Sequence, residues 1–112
     1  MAVQISKSGN TELEITVKGD ISTEAELTNF EDRINDMVTK YSRSEQDKKT
    51  VAINFDISAI PQGYVMGYMI KTRNFCDTKN MNFYMTIPKG KKQLYDTFYE
   101  CGADSILNIK QI

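Results

Sequence analysis

The run Val51–Phe55, VAINF, constrains the fold more than any other stretch. Five nearly continuous apolar residues suit a central strand covered on both faces. Pro61 and Gly63 mark a turn after it. Val65, Met66, Met69, Ile70 and Phe75 then follow at helical spacing, with Gly67 as a weak helix former among them. A buried strand, a short loop and an amphipathic helix make one strand–helix unit, and the rest of the chain repeats that order.

Leu13, Ile15 and Val17 alternate with Glu14, Thr16 and Lys18, the period of a half-buried strand that Gly19-Asp20 ends. Thr23 and Glu26 form a capping-box signature. Leu27, Phe30, Ile34, Met37, Val38 and Tyr41 then fall on one face of a long helix. Glu31, Asp32, Arg33 and Asp36 occupy the other face, which reads as solvated. The polar run from Ser42 to Lys49 is a loop.

Met81 to Ile87 reads as another strand, ended by Pro88. Leu94, Tyr95, Phe98 and Cys101 mark a third helix face, with Gly102 placed to stop it. Ile106, Leu107 and Ile109 suggest a short terminal strand, and Val3 to Ser6 an extra one at the start. Alternating strands and helices predict one α/β domain over residues 1–112, with a mixed, mostly parallel sheet of four to five strands and three to four helices. Right-handed crossovers put the loop Asp56–Gln62 on the edge formed by the strands' C-terminal ends.

Composition narrows the function. Fourteen basic and 15 acidic side chains leave a net charge of -1, which gives no global field for nucleic acid. The chain has no histidine, so the commonest general base and metal ligand are missing. No apolar run is long enough to span a bilayer, and the polar N-terminal stretch lacks a signal-peptide core. A cytoplasmic, non-enzymatic protein without cofactor or metal is the expectation. Cys76 and Cys101 are both expected to be reduced, buried small hydrophobes.

Three stretches resemble the STAS family, the anti-sigma factor antagonists and related regulatory domains of bacterial signalling and transcription. VKGDIST, Val17 to Thr23, is similar to its opening strand and turn; VAINF resembles its central strand; CGADSILNI, Cys101 to Ile109, resembles its end. The resemblance runs from about Glu12 to Ile109. The family's signature loop, Asp-Ser-Ser-Gly-Leu-Gly, aligns with Gln62, Gly63, Tyr64, Val65, Met66 and Gly67, and only the last glycine matches. Gly63 holds the phosphoacceptor position and has no hydroxyl.

The resemblance implies a protein-interaction module whose partner is an anti-sigma factor with a serine-kinase fold, or another regulatory protein. Its surface would combine Asp56, Ser58, Gln62, Gly63, Tyr64, Gly67 and Tyr68, with no phosphorylation at Gly63. A sensor of a nucleotide or lipid head group is the first alternative. The second is a structural subunit that self-associates, as a homodimer for instance, or docks on a transporter or larger assembly.

Tyr64 and Tyr68 lie one helical turn apart and share a face, which leaves two readings open, interface anchors or packing residues. Ser58 reads as a solvated turn serine. Lys89, Lys91 and Lys92 read as a soluble basic corner; their spacing is not that of a P-loop.

Overall fold

Local signals set most of the elements. A computed structural model describes residues 4–8, 12–19, 21, 23–43, 49–57 and 63–112. The alternating segment is strand β2, Leu13–Lys18, preceded by β1, Gln4–Ser8, a little later than the expected N-terminal strand. Helix α1, Glu24–Ser42, starts at the predicted box. The Thr23 hydroxyl accepts from the Glu26 N–H at 3.1 Å, and the Thr23 N–H donates to Glu26 Oε1 at 3.2 Å. Phe30, Ile34, Val38 and Tyr41 are its buried stripe, with Leu27 and Met37 packed at the margin.

Strand β3 is Thr50–Asp56, α2 is Gly63–Thr78 and β4 is Asn82–Ile87. A 3-10 turn, Lys89–Lys91, leads into α3, Lys92–Glu100. Cys101 caps α3 and Gly102 follows at φ 74°, the left-handed conformation a C′ glycine supplies. The chain then re-enters a helix, α4, Ala103–Leu107, before the last strand β5, Ile109–Gln111. Two expectations are corrected here. Ile106 and Leu107 belong to α4, because Ala103 and Leu107, four apart, are both buried while Ile106 faces out. Cys101 is exposed, because it lies one residue past the helix whose face would have buried it.

The five strands line up in sequence order, β1-β2-β3-β4-β5. β1 is antiparallel to β2, and the other neighbours are parallel. This is the expected mixed, mostly parallel sheet. With each new strand added on the same side, right-handed crossovers put every helix on one face. The core accordingly lies on one side of the sheet. Val51, Ile53 and Phe55 are fully buried beneath the helices, whereas Thr50, Asn54 and Asp56 on the opposite face are only partly buried. Among the described residues helices cover β3 on one face only, which corrects the reading of a strand covered on both, since a second layer of helices would need the strand order to reverse. On the other side of β3, Ala52 alone is buried. Phe55 joins the layers, its ring 6.0 Å from Phe30 of α1 and 6.2 Å from Phe98 of α3.

Candidate partner-binding site

The sequence-predicted residues fall in two places. Asp56 ends β3, partly buried, on the helix-free face in register with Lys18. Gly63, Tyr64, Gly67 and Tyr68 lie in the first two turns of α2. Ser58 and Gln62 lie outside the described residues. Tyr64 is 72% exposed, an unusual position for so large an aromatic. Gly67 is exposed as well, and a Cβ built on it would meet nothing within 4 Å. Close packing is therefore not the reason for a glycine there.

Tyr68 shares the helical face of Tyr64 but is held differently. Its ring meets Phe30 edge-on at 6.0 Å and 67°, and its hydroxyl donates to the Glu31 carbonyl oxygen at 2.8 Å. Burial pushes the phenol up to about 12, and the nearby Glu31 carboxylate pushes in the same direction. Thr72, one turn further, is buried and donates to the Tyr68 carbonyl oxygen at 3.0 Å. Tyr68 thus ties α2 to α1, while Tyr64 projects free of the core.

Beside that tie runs a groove of about 290 Å³ between α1 and α2. Glu31, Asp32 and Asn35 rim it on α1; Lys71, Thr72 and Phe75 form its α2 wall. Sequence reading passed over these residues because Glu31 and Asp32 belong to a helix face that is polar throughout. Each helix carries its wall at i, i+4, i+7 spacing, but nothing local says that the two walls face each other.

The face without described helices carries another depression, of about 510 Å³. It is crossed by side chains that satisfy one another. Tyr84 donates its hydroxyl to Glu12 Oε2 at 3.2 Å, Lys110 Nζ sits 5.3 Å from the Tyr84 ring centroid, and Thr86 Oγ1 donates to Asn54 Oδ1 at 3.0 Å. Burial and the Glu12 carboxylate raise the Tyr84 phenol above its ordinary range. Among the described residues no group of three or more His, Cys, Asp or Glu side chains is placed to hold a metal ion, and no helix is long and apolar enough to cross a membrane.

No protein-family model matches this chain, and no curated protein matches it.

Proposed function

We propose that this chain is a non-catalytic regulatory protein-interaction module, similar to an anti-sigma factor antagonist but lacking the phosphoacceptor hydroxyl. The observation that carries the reading is Tyr64. A large aromatic stands 72% exposed in the first turn of the helix that follows the central strand. Aromatic side chains supply much of the binding energy at protein interfaces. The helix start adds N–H groups that have no partner within the helix and the positive end of the helix dipole beside it. The partner is a kinase-fold anti-sigma factor or another regulatory protein, and Gly63 makes the contact independent of phosphorylation at that position.

Two variants test this against a partner recovered by affinity capture. Tyr64→Ala is expected to weaken binding by roughly thirtyfold, the equivalent of about 2 kcal/mol, with thermal stability unchanged. Gly63→Asp puts a negative charge where the family's phosphoserine would stand. An acidic residue is favourable in a helix's first turn, so the fold survives while the partner is released. Normal binding by both folded variants would place the interaction surface elsewhere.

A further inference from the structure

We propose that the groove between α1 and α2 seats an arginine-bearing helix of the protein partner. The inference rests on the interaction reading above and adds the chemistry of the occupant. Both helices are crossovers between parallel strands and run side by side in the same direction. Glu31, Asp32, Asn35 and Val38 fall within two turns on α1; Tyr68, Lys71, Thr72 and Phe75 fall within two turns on α2. The walls are therefore matched over roughly 10 Å, the length of two helical turns. A helix docks in such a groove with one apolar stripe and one charged rim.

The walls differ in character. Phe75 and the Tyr68 ring, both partly buried, supply apolar contact, and Tyr68 presents aromatic surface to a cation; the Phe75 ring already has Lys79 Nζ 5.9 Å from its centroid. Glu31 and Asp32 supply carboxylates at the α1 rim, and both push the Tyr68 phenol in the same direction, the mark of a negative field in the groove. Asp32 also borders the next depression along α1, with Glu24. Lys71 on the α2 rim and Lys79 beside Phe75 oppose this field, while the two carboxylates stand at the Tyr68 end. An arginine fits such a site because its planar guanidinium pairs with carboxylates in a forked geometry and stacks on aromatic rings.

The test uses the full chain, isotopically labelled, and two synthetic amphipathic helical peptides with the same apolar stripe. One carries arginine on its polar rim and the other glutamate. The arginine peptide is expected to give saturable NMR shifts centred on the Asn35, Thr72 and Phe75 amides. Asp32→Asn, and more strongly Glu31→Lys with Asp32→Lys, should weaken it by about tenfold, whereas Lys71→Ala should tighten it severalfold. Glu100→Lys, a change at the end of α3, should leave it unaltered, and circular dichroism shows that each variant is folded. Equal binding of the glutamate peptide, equal loss in Glu100→Lys, or shifts outside the groove would overturn the proposal. So would free arginine binding as tightly as the peptide, since the groove would then be a small-molecule site. Tyr64→Ala separates the two claims. Peptide binding that survives Tyr64→Ala while the captured partner is indifferent to it would sink the loop surface and leave the groove standing. A partner that needs Tyr64 alongside a silent groove would do the reverse.

Discussion

Two cysteines in similar sequence surroundings have opposite environments. Cys76 is fully buried on α2, and burial alone pushes its thiol up to about 11; Cys101 is exposed past the end of α3. The thiolate is the reactive form, so burial and a raised pKa act together against Cys76. A thiol reagent under native conditions should therefore modify Cys101 quickly and reach Cys76 only on unfolding. Peptide mapping by mass spectrometry reads this directly, and early labelling of Cys76 would contradict the packing of α2. Tyr68 makes a pH prediction. Its phenol rises from 10.0 to about 12 on folding, so the folded state favours the neutral form. Its contribution is complete below pH 10 and is lost as pH rises toward about 12. Cys76 titrates in the same sense from 9.0 to about 11, which makes the comparison with Tyr68→Phe necessary. Denaturation midpoints of the two proteins should converge as pH climbs through this window. A constant gap would mean that the Tyr68 hydroxyl titrates as an ordinary phenol.

At the scale of elements, the junction between α3 and α4 turns on one residue. Gly102 sits at φ 74°, where a Cβ would meet nothing within 4 Å, so Gly102→Ala meets conformational strain but no collision. The expected loss is about 1 kcal/mol, a fall of roughly 5 °C in Tm. An unchanged Tm would mean that the left-handed turn relaxes on substitution. Gly102 was legible in the sequence, as was α1, because a cap, a stripe and a stop are all local. The helix after Gly102 was not. Ala103 and Leu107 offer only one helical repeat, and Ile106, Leu107 and Ile109 compete with it as a short apolar run. The candidate site divides along the same line. The start of α2 could be placed from the turn and the periodicity, but whether Tyr64 projects or packs is decided only by its 72% exposure in the fold. The Phe30 contact of Tyr68 and the groove beside it needed the relative placement of α1 and α2, which no local pattern contains.

Across the whole molecule, the sequential strand order leaves a largely parallel sheet with one uncovered face among the described residues, an uncommon state for parallel strands. The sequence disguised this because Ala52 contributes an apolar letter to VAINF on the uncovered side. It is buried there in register with Glu14 and Tyr84, on a face that carries no helix. Neighbouring residues of β3 should consequently differ sharply in what their loss does. Phe55 packs between Phe30 and Phe98 with no exposure, and Phe55→Ala should cost about 3–5 kcal/mol through lost contacts and a cavity. That is a large share of the roughly 5–15 kcal/mol that holds a domain together, so the variant should unfold early or lose its cooperative transition. Asn54, one residue earlier, points the other way and accepts one hydrogen bond from Thr86. Asn54→Ala should cost about 1 kcal/mol and keep a sharp transition. Urea unfolding of the two variants separates a one-sided core from a two-sided one. Comparable losses at both positions would mean that the helix-free face is as tightly packed as the other and that the core does not lie on one side of the sheet.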